Sequence, residues 1–330
     1  MPAFITKDLN KTSLEHLFIV LHGRRRDGDH YWKVFNNAIK EAQEDGFPGS
    51  DRNLAVMAPQ FFSKKYNSGQ YSDNQLAWGD LNAWQPGARA IHPNNTALTS
   101  YDVLDGLIEY HGDQEKYPNL KNITVIGHGG GGQLAQRYAA VGADPPSHLH
   151  VRYIHGDASS AMYFTEDRAV LDWTDVSKES CEDWNKWRYG FQGFPGTACL
   201  HQSPEGYFKQ YVSRDVVSLV GYEDTGKGGD TSCMANLQGG RNRRTRNLVW
   251  YRYVHTLAGS DVDLEGFPGS FPNATDWSDL TGGKCHLRLV VVKNAGHNVR
   301  KLMKGDSGRA VLFNDTDLDN GWRAKTDFGD

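Results

Sequence analysis

Three stretches of this chain carry residue types that could do chemistry. "ITVIGHGGGG" (123–132) ends an apolar run in a glycine turn, "VGYEDTG" (220–226) ends one in acids, and "VVVKNAGHN" (290–298) ends one in a histidine. A histidine with an acid to orient it is a general base. A glycine-rich turn between strand and helix has two common uses. It can cradle a phosphate in the pattern G-x-G-x-x-G, which Gly127, Gly129 and Gly132 satisfy. It can also be the sharp turn that presents a nucleophile, with a serine at position 129, where this chain has Gly129.

The elements that must position these residues are legible as short, β-branched apolar runs: His16–Leu21, Leu54–Ala58, Ile123–Ile126, Val151–Ile154, Val216–Val220 and Leu287–Val292. Each has the length of a strand buried on both faces, as in a parallel sheet. Helical patterns at Tyr101–Tyr110, Gln133–Val141 and Arg246–Leu257 fall between them, with Thr99 or Ser100 available to cap the first. Alternating strands and helices imply an α/β, mostly parallel, doubly wound sheet. The stretch 158–214 breaks that rhythm. It has no clear strand and is rich in Trp, Tyr, Gly and Pro, so it reads as a lid insertion into a core made of 1–157 and 215–330.

The phosphate reading leaves too much unexplained. Two strands precede the glycine turn, whereas a dinucleotide fingerprint usually opens its domain. Asp157, after the next strand, stands where a ribose-binding acid would be. Neither "HG" at His22-Gly23 nor "AGH" at Ala295 has a use in that reading. In the nucleophile reading, turn, acid and histidine each follow a later strand, in the order position 129, Asp224, His297. Glu223 and Asp230 are alternative acids, because the loop 226–229 could re-aim either. The backbone N–H of Gly130, with that of Arg24 or Gly23, would then receive a developing oxyanion.

These residues, together with "LHGRRRDGDHYW", "APQF", "LAWGDLNAW", "SYDVLDGLI", "GHGGGGQLAQRYA", "DASSAMYF", "WNKWRYGF" and "AGH", resemble the α/β-hydrolase superfamily. More narrowly, they are similar to a fungal and bacterial group of serine-hydrolase-like proteins, over about residues 14–303. The resemblance implies an α/β-hydrolase fold and serine-dependent ester or amide hydrolysis through a catalytic triad. It departs from the family at Gly129, where the family has serine. Glycine supplies no hydroxyl, so no acyl-enzyme can form there, and loss of a triad nucleophile typically costs on the order of 10⁶ in kcat. Two other uses of the fold stay open. One is a lyase, cyclase or isomerase of secondary metabolism with His297 as general base. The other is non-catalytic binding of a small molecule.

The neighbouring residues admit bland readings beside functional ones. His128 is expected to pack and hydrogen-bond rather than act as a second base. The side chains of Arg24–Arg26 are expected in solvent; one turned inward would favour a carboxylate-bearing substrate. Trp184, Trp187 and Tyr189 either line a substrate pocket or form the core of the insertion. The run "RNRRTR" (241–246) reads as a solvated loop or helix start.

Bulk properties exclude several classes. With 330 residues, 36 basic and 40 acidic side chains and a net charge of −4, nothing suggests a nucleic-acid partner. Mean hydropathy is −0.63, and no window approaches the roughly 20 apolar residues of a membrane span. No metal or cofactor is expected, since Cys181, Cys199, Cys233 and Cys285 match no zinc spacing. Those four cysteines permit two disulfides or four buried thiols. Asn10, Asn94, Asn122, Asn273 and Asn314 open N-x-S/T sequons, of which Asn122 falls on a core strand. No signal peptide stands at Met1, which leaves a secreted protein without its leader or a cytoplasmic one. The expected ligand is a medium-sized, partly apolar small molecule.

Overall fold

The computed structural model describes residues 1–172, 176–197, 201–314 and 318. They fall into two compact units, one built mainly from Met1–His155 and the other from Gly156–Pro195 and Gln202–Val311.

The first unit runs β1 (Ala3–Ile5), β2 (His16–Leu21), α1 (Gly28–Glu44), β3 (Leu54–Pro59), the short β4 (Phe62–Ser63) and β5 (Ala77–Trp78), α2 (Ser100–His111), β6 (Asn122–His128), α3 (Gly130–Val141) and β7 (His150–Gly156). Its sheet has the order β1-β3-β2-β6-β7, while β4 and β5 form a separate parallel pair. Every residue of β2 is buried, so this strand is covered on both faces and tolerates only the apolar run HLFIVL. It pairs in parallel with both β3 and β6, while β1 pairs antiparallel with β3 at the edge. The register sets Leu21 opposite Gly127, which brings the "HG" after β2 beside the glycine turn after β6.

Thr99 caps α2: its hydroxyl accepts from the N–H groups of Tyr101 and Asp102, and the Asp102 carboxylate accepts in return from Thr99 N–H. Helix α1 is an element the apolar runs did not announce. Its inward residues Tyr31, Val34, Phe35, Ala38, Ile39 and Ala42 recur every three or four positions. Asn36, Asn37 and Lys40 between them dilute the signal.

The chain continues with α4 (Pro204–Ser213), β8 (Asp215–Gly221), α5 (Cys233–Asn236), α6 (Arg243–Ala258), α7 (Ser278–Thr281), β9 (Leu287–Val292), α8 (Val299–Lys304) and α9 (Asp306–Phe313). Strands β8 and β9 are parallel, with Gly221 opposite Val292, so the loops bearing Asp224 and His297 leave neighbouring strand ends. Helix α6 starts three residues before the expected Arg246, because the Asn242 side chain accepts the Thr245 N–H at 2.8 Å. That start puts Arg243, Arg246 and Asn247 on one inward face. The basic run is a helix start with two arginines turned inward: Arg243 and Arg246 are 8 % and 3 % exposed, while Arg241 stays in solvent. Arg246 is consumed by the carbonyls of Gly240, Ser159 and Asp230 and by Asn236 Oδ1.

The described part of 158–214 holds α4 but no named strand. Tyr163 packs on Trp250 and Tyr253 of α6 and Phe164 on Trp250, while Phe191, Phe208 and Tyr211 pack on Phe164. A disulfide joins Cys181 to Cys233. Cys285 is a free thiol, and Cys199 lies outside the described residues.

Candidate active site

The glycine turn lies in the first unit. Gly129 is the N-cap of α3 with φ 59° and ψ −111°, a backbone state that side-chain-bearing residues rarely adopt. Two flanking glycines have steric reasons to be glycine. A Cβ on Gly127 would stand 2.1 Å from Gly131 O, and one on Gly131 would stand 2.2 Å from Leu21 O. Both clashes are with backbone and cannot be relieved by a rotamer. The turn is thus G-x-Gly129-x-G, the compact strand-to-helix corner in which a nucleophile elbow is built.

Beside it, the "HG" loop is fixed by His22. Burial pushes the His22 imidazole down to about 4, so it is neutral, and its two nitrogens play opposite roles. Nδ1 donates to Gly23 O at 2.9 Å, and Nε2 accepts from Phe61 N–H at 3.0 Å. The ring packs edge-on against Trp84 and Phe61. This locks the backbone that follows, and Arg24 N lies 3.2 Å from the point where a Cβ on Gly130 would be. Among the described residues, neither Arg24 N–H nor Gly130 N–H donates a hydrogen bond. Gly23 lies one residue before this donor, and its carbonyl is taken by His22 and by Arg26 N–H.

The arginine side chains after it divide. Arg24 and Arg25 are exposed, while half-buried Arg26 bonds Asn67 Oδ1 and Arg24 O and stacks on Tyr66. Arg26 therefore braces the loop. His128 is buried and its Nδ1 meets Tyr31 Oη at 3.2 Å, a packing and hydrogen-bonding position.

The histidine and its acid lie in the second unit. His297 Nδ1 lies 2.9 Å from Asp224 Oδ2. An ionised carboxylate only accepts, so Nδ1 carries the proton and Nε2 is the basic nitrogen. The Asp224 side chain is 2 % exposed and that of His297 34 %, so the acid is enclosed while the imidazole stays accessible. Burial alone would raise the Asp224 carboxyl. The hydrogen bond and charge of His297 and the adjacent Arg243 guanidinium outweigh it and hold the carboxyl below its ordinary range.

Between the acids left open by sequence, geometry discriminates. Asp230 accepts from Tyr189 Oη at 2.7 Å and pairs with Arg188, while Glu223 is exposed and makes no contact with the imidazole.

Two residues near the imidazole were not assigned to it by the sequence reading. Arg243 Nη1 bonds Asp224 Oδ1 at 3.1 Å and its Nε donates to Ser159 Oγ at 3.0 Å. Asp157, fully buried, accepts from Gly221 N–H on Oδ1 and holds Oδ2 3.9 Å from His297 Nδ1. Its position after the Val151–Ile154 run was the available signal, but only as a ribose acid.

The proposed pocket aromatics occupy distinct places. Tyr189 is buried, with its hydroxyl on Asp230. Trp184 sits between the charges of Arg168 and Lys178, and Trp187 packs on Phe191 and Phe194. Cys285 offers no activated thiol. It lines a separate cleft of about 750 Å³ with His255, but burial pushes its thiol up to about 12 and the imidazole down to about 4. Such a pair holds neither thiolate nor imidazolium at neutral pH.

The parallel strands, the glycine corner after β6 and the later acid and histidine together define an α/β-hydrolase fold. Two solved structures extend the likeness over nearly the whole chain. One is the poly(3-hydroxybutyrate) depolymerase LpqC from Bordetella parapertussis, at 16% identity, covering 96% of this chain and 86% of that one with a TM-score of 0.59. The other is poly(aspartic acid) hydrolase-1 from Sphingomonas sp. KT-1, at 15% identity, 94% and 92% coverage and a TM-score of 0.60. No protein-family model and no curated protein sequence matches the chain. No helix among the described residues is long and apolar enough to cross a membrane.

Proposed function

We propose that the chain is a member of the ester- and amide-hydrolase lineage in which the elbow has lost its nucleophile while the base and the oxyanion donors remain. The observation that carries this reading is the 2.9 Å His297–Asp224 hydrogen bond, kept in a chain whose elbow bears Gly129. A packing role alone does not call for a buried, ionised acid behind an accessible imidazole. On this reading Gly129, Asp224 and His297 occupy the three triad positions, and the N–H groups of Gly130 and Arg24 receive the carbonyl oxygen of a medium-sized, partly apolar substrate.

Without a hydroxyl, His297 Nε2 acts as a general base on water or on a proton of the substrate itself. The imidazole–carboxylate pair favours such a lyase, cyclase or isomerase over a protein that only binds, because binding does not require a base oriented by an acid.

The test is Gly129→Ser, exposed to a fluorophosphonate probe and to simple aryl esters. The variant should label and hydrolyse while the parent does neither, and adding His297→Ala should abolish both. A folded Gly129→Ser protein that resists labelling overturns the reading.

A further inference from the structure

The amide of Gln85 stands where an oxyanion donor would be useful. Its Nε2 lies 2.6 Å from the point where a Cβ on Gly130 would be, and Arg24 N lies 3.2 Å from the same point. The nitrogens of Arg24 and of the Gln85 side chain thus both stand close beside Gly130, at the amino end of α3. Gln85 is 3 % exposed. One of its amide hydrogens goes to Asn82 Oδ1 at 3.3 Å, and among the described residues the other has no acceptor.

The turn that carries Gln85 is rigid and coupled to the "HG" loop. Asp80 Oδ1 accepts from the N–H groups of Asn82 and Ala83, and Gln85 N–H donates to Asn82 O at 3.0 Å. Trp84, fully buried, stacks on Phe61 with ring centroids 5.3 Å apart and meets His22 edge-on at 4.8 Å. The histidine that fixes Arg24 N–H therefore packs against the residue preceding Gln85. Donors held in this way need little reorganisation when charge develops on a bound oxygen.

We propose that Gln85 is a third donor to the oxygen held by Gly130 and Arg24, recognising the carbonyl of an ester or amide or the oxyanion derived from it. The inference rests on the function proposed above and adds to it a residue that contacts the reacting atom.

The test uses the ¹⁵N-labelled parent chain titrated with benzoate, a planar carboxylate able to accept from all three donors. The backbone amides of Arg24 and Gly130 and the side-chain amide of Gln85 should shift along one saturating isotherm. Gln85→Ala, folded as judged by an unchanged Tm, should weaken it about tenfold, the usual worth of a hydrogen bond to a charged group. Gln85→Glu, which can only accept, should abolish it. Three results each overturn the proposal: a Gln85 amide that stays put while the others move, Gln85→Ala binding as tightly as the parent, and no shift up to the solubility limit.

A second arm separates this from the underlying reading. In the Gly129→Ser background, Gln85→Ala should lower kcat by roughly 100-fold with KM little changed. Labelling with unchanged kcat sinks Gln85 alone. Benzoate shifts without labelling sink the serine-lineage reading and leave the donor standing.

Discussion

Arg243 grips the carboxylate oxygen of Asp224 that His297 leaves free, at 3.1 Å, with the two side chains 10 % and 2 % exposed. The acid is thereby fixed from both sides. The imidazole takes Oδ2, the guanidinium takes Oδ1, and Ser159 Oγ fixes the guanidinium in turn. Removing one partner of such a buried pair leaves a charge without compensation.

Arg243→Met should therefore destabilise the fold by about 3 kcal/mol, measured by urea unfolding at neutral pH. The pH dependence follows from the depressed Asp224 carboxyl. A lowered folded-state value contributes stability that is fully present above the unfolded value, about 3.9, and is lost as pH falls through the folded one. Asp224→Asn should remove that part of the acid-limb slope. An acid limb identical to the parent's would show that the carboxylate is not held by this pair.

Glycines of the corner and of the surface should respond oppositely to the same change. Gly131→Ala places a methyl 2.2 Å from Leu21 O, and the strand must move to admit it. We expect a loss of at least about 3 kcal/mol, or failure to fold. Gly106, exposed in α2, has nothing within 4 Å of its would-be Cβ. Gly106→Ala should raise stability by about 0.5–1 kcal/mol, read as a higher Tm.

The Cys181–Cys233 bond closes a loop across 52 residues, tying the segment that holds Trp184, Trp187 and Tyr189 to the start of α5. Chain entropy assigns a crosslink of that span about 4 kcal/mol. Reductant should lower the urea midpoint of the parent. The Cys181→Ser/Cys233→Ser double variant should start at the lowered value and ignore reductant. Equal midpoints with and without reductant would remove the crosslink from the account of stability.

The parallel strands were legible because burial on both faces leaves only unbroken apolar runs, and His16–Leu21 and Leu287–Val292 have the very bounds of β2 and β9. The order of Gly129, Asp224 and His297 along the chain was legible too, since strand ends tell where loops begin. What sequence hid was direction. Arg243 and Arg246 read as solvated because a basic run usually is; only the Asn242 cap rotates both inward. Gln85 lies one residue beyond the recognisable "LAWGDLNAW", and only its approach to Gly130 distinguishes it from any loop amide. Asp157 was noticed for a ribose, and the imidazole beside it comes from 140 positions later in the chain, a separation no local pattern bridges.

The dihedral angles of Gly129 make the proposed exchange of serine for glycine asymmetric in energy. Any residue with a β-carbon installed at that corner inherits a torsional cost of about 1–3 kcal/mol, which glycine escapes. On the proposed reading, a change from serine to glycine here runs downhill in stability terms, and the return runs uphill. A lineage that once crossed to glycine would regain acyl chemistry only where selection for turnover outweighs a softer scaffold.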